Sequence, residues 1–132
     1  MELKKIIKEL RKVSDKKVYC KLKEKNGENS YILDKFRSHR GSYDETSYDY
    51  TDDINKGMTA HEFADSLENA IGELIIGYKG GEFYVDEDLP VAIAEYGRVG
   101  DYILDVIEED DRIFLKTENA WDYDWYLEYK EE

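Results

Sequence analysis

The chain has 132 residues, of which 41% are hydrophobic and 39% are charged. This composition excludes wholesale disorder and fits a single domain over residues 1–132 with its own hydrophobic core. The one cysteine, Cys20, excludes an intramolecular disulfide and a zinc site built from cysteines.

The net charge of −13 is unevenly distributed along the sequence. Residues 1–40 hold thirteen basic and six acidic residues, whereas residues 41–132 hold six basic and twenty-six acidic ones. A body this acidic repels nucleic acid and anionic membranes at long range, so we expect neither as a partner. We also expect no signal peptide and no membrane span, because no apolar run approaches ~20 residues. The expected location is cytoplasmic, including the cytoplasm of a host cell.

The first part of the chain is predicted to form a helix and a hairpin. The predicted elements are a helix over 3–13, a strand over 18–24, a turn at Asn26-Gly27 and a returning strand over 30–40. Cys20 and Ile32 are expected to face inward from the two strands. Residues 41–57 are polar and acidic, and they are expected to hold one irregular strand and a loop.

The remainder is predicted to add a second helix and several strands. Thr59-Ala60-His61-Glu62 has the pattern of a capping box, and apolar spacing continues the helix to Ile71. Strands are predicted over 74–76, 82–85, 91–96, 102–108 and 112–117, with turns at 77–81, 97–100 and 109–111. The predicted fold class is α+β, with an antiparallel sheet of about six strands and two helices packed on one face.

A short cationic stretch ends the second predicted strand. Arg37 and Arg40 flank His39, and Tyr43 follows three residues later. Two guanidiniums and an imidazole can bind a phosphate or carboxylate, and arginine can do so bidentately. Tyr43 could stack on a base beside such a group. We therefore predict a ligand-binding site at these four residues.

Other candidate ligand residues come from the turns of the acidic half. Tyr78 and Lys79 lie in the Gly77-Tyr78-Lys79-Gly80-Gly81 turn, whose amides could approach an anion. Phe83 follows as a second possible stacking residue. Arg98, between Gly97 and Gly100, is one of the few other cations available for a ligand.

Each of these patterns also has a simpler interpretation. The arginines can pair with Asp44 or Glu45, and the glycine-rich segment can be a plain hairpin turn. The acidic runs at 86–88 and 108–111 lack the ligand order of an EF-hand, which favours solvated turns over metal sites. No nucleophile–base pair is evident, so we expect neither an enzyme nor a cofactor.

The motifs Arg37-Ser38-His39-Arg40-Gly41-Ser42-Tyr43 and Gly77-Tyr78-Lys79-Gly80-Gly81 carry a resemblance to a group of viral proteins. The chain resembles small phage and prophage proteins that share an Arg-Ser-x-Arg-Gly-x-Tyr motif and a Gly-Tyr-Lys-Gly-Gly turn. The resemblance covers about residues 31–117. Within that class it is similar to the anti-Thoeris sponges, which bind a cyclic ADP-ribose signal in an oligomer without degrading it. The resemblance implies a phage anti-defence protein.

Two functional hypotheses follow from these observations. The first is a protein that sequesters a small anionic nucleotide-type ligand without degrading it. The alternative is an acidic DNA mimic or protein–protein inhibitor that blocks a host defence nuclease. Apolar residues alternate from Trp121 to Tyr129, and we expect this tail to pack between subunits of a homo-oligomer, a dimer or larger.

Overall fold

The computed structural model describes residues 1–40, 44–76, 82–95 and 98–119. At positions 24, 35–40, 44–45, 75–76, 82–83, 94–95 and 98–100 only the backbone is described. The helices are α1 (Leu3–Lys12) and α2 (Ala60–Ala70). The strands are β1 (Val18–Lys21), β2 (Asn29–Arg40), β3 (Asp44–Thr51), β4 (Leu74–Ile76), β5 (Glu82–Tyr84), β6 (Val91–Glu95), β7 (Arg98–Glu108) and β8 (Ile113–Asn119).

Six strands form a closed barrel in the order β1, β2, β3, β6, β7, β8, while β4 and β5 form a separate two-stranded sheet. Most neighbouring strands are antiparallel, but β1 pairs with β8 and β3 with β6 in parallel. The predicted α+β class, with two helices and a six-stranded sheet, is confirmed. The prediction of a purely antiparallel sheet was wrong.

The parallel pairs depend on long connections that local sequence patterns cannot reveal. Between the end of β3 at Thr51 and the start of β6 at Val91 lie α2 and the β4–β5 sheet. A connection of a dozen or more residues is what parallel pairing requires. Alternation shows which residues of a strand share a face, but it does not show which strand is the neighbour.

The two helices pack against each other and share one core with the inward face of the barrel. α1 buries Leu3, Ile6 and Leu10, spaced so that they share one side of the helix. Buried residues of α2, including Phe63 and Leu67, belong to the same core cluster. No helix in the described ranges is long and apolar enough to cross a membrane.

The start of α2 is fixed by its own sequence and by the chain before it. The predicted capping box is present, because the Thr59 hydroxyl accepts from the Glu62 amide and the Glu62 carboxylate accepts from the Thr59 amide. Just before it, the Met58 amide donates to the Ile32 carbonyl (2.8 Å) and the Val18 amide donates to the Met58 carbonyl (3.0 Å). The loop is therefore tied to both β1 and β2.

A second apolar layer lies on the other side of β1 and β8 from the core. Tyr19 packs between Tyr31 and Phe114, and the Arg112 guanidinium lies 3.7 Å from the centre of its ring. The Tyr19 hydroxyl donates to the Glu109 carboxylate. Burial, with help from this hydrogen bond, raises the pKa of Tyr19 to about 12. This layer holds the closing strands together from outside.

Gly57 provides a test of how tightly that layer packs. A Cβ at position 57 would lie 2.7 Å from the Tyr31 Cβ, which is too close for two carbons. We predict that Gly57→Ala lowers the free energy of unfolding by about 1–3 kcal/mol, as overpacking usually does. Urea denaturation would measure this change. The control is Lys56→Ala at the exposed neighbouring residue, and equal stability of the two variants would contradict the argument.

Candidate anion-binding site

The predicted cationic stretch lies in the second half of β2, where it pairs with β3. The register sets Arg37 opposite Ser47, His39 opposite Glu45 and Arg40 opposite Asp44. The 41–57 region, predicted to hold one irregular strand and a loop, contains the eight-residue strand β3. It gives each cation of the stretch a defined cross-strand neighbour.

The register also assigns these positions to faces of the barrel. Tyr48 belongs to the core, so Ser47 lies on the outer face, and position 37 shares that face because it pairs with Ser47. Position 39 shares it too, two residues along the strand. Position 40 lies on the opposite face. Arg37 and Arg40, predicted to act together, therefore occupy different faces of β2.

Cross-strand charges distinguish the three cationic positions. His39 and Arg40 lie opposite acidic residues, Glu45 and Asp44, and such pairs are mutually stabilising. This arrangement agrees with the simpler interpretation of the stretch as cations paired with nearby acids. Arg37 differs, because its cross-strand neighbour Ser47 carries no charge. Arg37 is therefore the strongest candidate anion ligand of the three.

The neighbouring part of β3 contains two buried hydroxyls. Within the described part of the chain, neither Thr46 Oγ1 nor Ser47 Oγ has a hydrogen-bond partner, and both residues are almost completely buried. A buried hydroxyl without a partner is unusual and costs stability. Nothing in the sequence marks these two residues, which lie opposite Ser38 and Arg37.

Arg98 lies on β7, three strands around the barrel from the cationic stretch and displaced from it along the strands. β3 and β6 are parallel with Thr46 opposite Val91, and Glu95, four residues further on, pairs with Arg98. Asp44, opposite Arg40, lies two residues before Thr46. The backbone positions of Arg40 and Arg98 are thus six residue steps apart along the strands, about 20 Å. The predicted turn over 97–100 overlaps β7, which begins at Arg98.

The other predicted ligand residues belong to the β4–β5 hairpin or fall outside the described residues. Phe83 pairs with Ile75 in the two-stranded sheet, and β4 lies against β2. Tyr43, Tyr78 and Lys79 lie outside the described residues, as does the tail from Trp121 to Tyr129.

A cleft of about 450 Å³ opens between α2 and β2, and the sequence did not predict it. It is lined by Asp34, Glu62, Asp65, Ser66, Asn69, Ala70 and Glu73. Ser66 donates to the Asp34 carboxylate (2.7 Å), and its oxygen lies 2.9 Å from the Tyr48 hydroxyl. Burial raises the pKa of Tyr48 to about 12. Four carboxylates make this cleft hostile to an anion, so it is not the predicted ligand site.

The structure also shows the surroundings of the metal-ligating residue types and of Cys20. Across the described ranges, no group of three or more His, Cys, Asp or Glu side chains could hold a metal ion. Cys20 is buried in the core, as predicted, and so is Ile32. His61 is half-buried, with its ring Nε2 3.0 Å from the Val13 carbonyl oxygen.

Comparisons of this chain with protein-family models, with curated proteins and with solved structures found no match.

Proposed function

We propose that this protein is a phage anti-defence protein that binds a nucleotide-type signalling molecule and sequesters it without degrading it. The ligand would belong to the cyclic ADP-ribose or cyclic oligonucleotide class. The observation that carries the proposal is the uncharged neighbour of Arg37 in the β2–β3 register. An arginine whose directly opposite residue carries no charge can bind a phosphate through two parallel hydrogen bonds.

The neighbouring elements support a site at this end of the barrel. Position 39 shares the outer face with Arg37, so His39 would add a second donor. β4 lies against β2, and the Gly77–Gly81 segment connects β4 to β5. In this proposal Lys79 adds positive charge, while Tyr43, Tyr78 or Phe83 stacks on the base. Arg98, three strands away on β7, takes no part.

Sequestration requires affinity and no chemical step. In this proposal the protein is not an enzyme and uses no cofactor, and its partner is a small anion and not a nucleic acid. It would act in the cytoplasm of the infected host, where a defence signal is made. The acidic body would keep DNA and RNA away from the site.

We predict that Arg37→Ala weakens the binding of cyclic ADP-ribose or cyclic di-AMP, whichever binds in isothermal titration. A charge-assisted hydrogen bond contributes about 1.5–3 kcal/mol, so affinity should fall ~10- to 150-fold. Arg98→Ala is the matched control, because it removes the same group three residue steps along the strands, about 10 Å, and three strand spacings around the barrel, about 14 Å, and it should leave affinity unchanged. Arg40→Ala should have a smaller effect than Arg37→Ala, since Asp44 lies opposite Arg40.

The melting temperature of each variant separates a binding role from a structural one. The proposal requires Arg37→Ala to melt close to the unsubstituted protein while losing affinity. An early-melting Arg37→Ala that retains full affinity would make Arg37 a structural residue and remove the proposed site.

The second candidate function, an acidic DNA mimic or protein inhibitor of a defence nuclease, is favoured by the surface around α2. Asp65 and Glu68 are exposed, and Arg11 holds both at 2.9 Å. The acidic cleft beside them adds Asp34, Glu62 and Glu73. Carboxylates fixed in this way could meet a basic protein surface with little loss of side-chain entropy.

Salt dependence distinguishes the two functions. A mimic acts through many exposed carboxylates, so its affinity for a basic target should fall steeply as ionic strength rises. For a ligand held by a few groups we predict modest salt dependence, measured as affinity across a sodium chloride series. The triple variant Glu73→Gln, Glu87→Gln, Asp110→Asn should keep its anti-defence activity. Loss of that activity in a folded triple variant would favour mimicry.

We propose that the protein acts as a homo-oligomer, a dimer or larger, formed through the β4–β5 sheet. Leu74 and Tyr84 form a cross-strand pair there and are 47% and 67% exposed, with the exposed Ile71 nearby in sequence. Burying such residues between copies would remove apolar surface from water.

Leu74→Glu should therefore lower the molar mass measured by light scattering. Ile54→Glu is the control, because Ile54 is a similarly exposed apolar residue but lies in the turn between β3 and α2, away from β4 in sequence. A mass that falls equally for both variants, or for neither, would argue against this contact.

A further inference from the structure

Three neighbouring residues on the outer face of the barrel are buried. Ser47, Ala92 and Tyr102 are 2%, 0% and 1% exposed, and the register sets Ser47 beside Ala92 and Ala92 beside Tyr102. They form a row across β3, β6 and β7, which we call the outer row. Leu104 packs against the Ala92–Tyr102 pair.

The outer row faces away from the main core. On the same three strands, the core cluster contains Tyr48, Ile93 and Ile103, each one residue from a member of the row. The buried side chains of α1, and those of α2 except Ala70, belong to that core cluster as well. A side chain on the outer face is shielded from water only when another segment lies over it, so the row requires a cover of its own.

The chain after β8 starts beside this row. Asn119, the last residue of β8, pairs with Asp101, which precedes Tyr102. Thirteen residues follow it, and an extended segment of that length reaches about 43 Å, whereas the row spans two strand spacings, about 10 Å. Trp121, Tyr123, Trp125, Leu127 and Tyr129 recur at every second position, the period of a strand with one apolar face.

We infer that residues 121–129 cover the outer row of the same chain, with their apolar side chains on Ala92 and Tyr102, in place of the contact between subunits that the sequence predicts. The segment begins one residue pair away from Tyr102, so contact within the same chain avoids the loss of freedom that association of two molecules requires. Proximity therefore favours the same chain over a second copy. The Ser47 hydroxyl, which has no described partner, would then gain a backbone carbonyl as its acceptor. This inference does not rest on the ligand proposed for Arg37, which lies opposite Ser47 at the end of the row.

Tryptophan fluorescence tests the inference, because the only two tryptophans of the chain are Trp121 and Trp125. In the full-length protein we expect emission at short wavelength and weak quenching by acrylamide, as for shielded indoles. Both should be constant on hundredfold dilution. Emission like that of a free tryptophan peptide would overturn the inference, and so would a shift to longer wavelength on dilution, which would assign the cover to a second copy.

Two matched variants locate the contact. Ala92→Glu places a carboxylate in the outer row against a segment rich in acidic residues, so the tryptophan emission should shift to longer wavelength and quenching should rise severalfold. Ile107→Glu places the same group at an exposed site elsewhere on β7 and should leave the emission unchanged. Equal emission in both folded variants would overturn the inference. If Ala92→Glu does not fold by circular dichroism, Ser47→Asp at the edge of the row is measured instead, with the same two outcomes.

Discussion

The parallel pairing of β1 with β8 is the contact on which the barrel depends. It joins only three residue pairs, from Val18–Ile113 to Cys20–Leu115. Without it both strands would be open sheet edges, which invite association with other chains. The ladder is short, but it is packed on two faces: Cys20 and Leu115 lie in the core, and Tyr19 and Phe114 lie in the outer layer. Closure is therefore maintained by side-chain packing more than by the number of backbone hydrogen bonds.

Features determined within a few residues could be predicted from the sequence. The capping box at Thr59 is present, and the turn at Asn26-Gly27 has both residues at positive φ. The hairpin of β1 and β2 and the pair of β7 and β8 are also present. Features that depend on distant partners could not be predicted. Alternation placed Cys20 inward, but it could not indicate that β1 has β8 as its second neighbour, nor that the sheet closes.

The candidate site shows the same division. The sequence identified Arg37, His39 and Arg40 as a cluster because they are close along the chain. Strand pairing places Arg37 and His39 on one face of β2 and Arg40 on the other, and it gives only Arg37 an uncharged cross-strand neighbour. A linear sequence pattern does not contain this information. Arg98 was grouped with them by charge alone, although it lies on β7, three strands away from β2 around the barrel. The cleft at Asp34 was missed because its lining residues come from segments far apart in sequence.

The uneven charge along the sequence is partly balanced in the fold. Lysines and arginines of the first segment pair with acids of the second, as Lys4 does with Asp88 (2.5 Å) and Arg11 with Asp65 (2.9 Å). These contacts are exposed and each contributes little to stability. Their effect is to lower the field of the acidic body around α1, so that the electrostatics of the surface differ from those expected from the two segments taken separately.

The irregularity in β2 has a consequence for how this protein can change over evolutionary time. Between Ile32–Tyr50 and Phe36–Tyr48, β2 advances four residues while β3 advances two. The surplus is an even number, so inward and outward positions keep their order on both sides of it. Insertion or loss of one residue at 33–35 would exchange the faces of everything from Phe36 to Arg40, whereas a change of two would preserve them. Descendants of this chain should therefore vary in length there by pairs of residues.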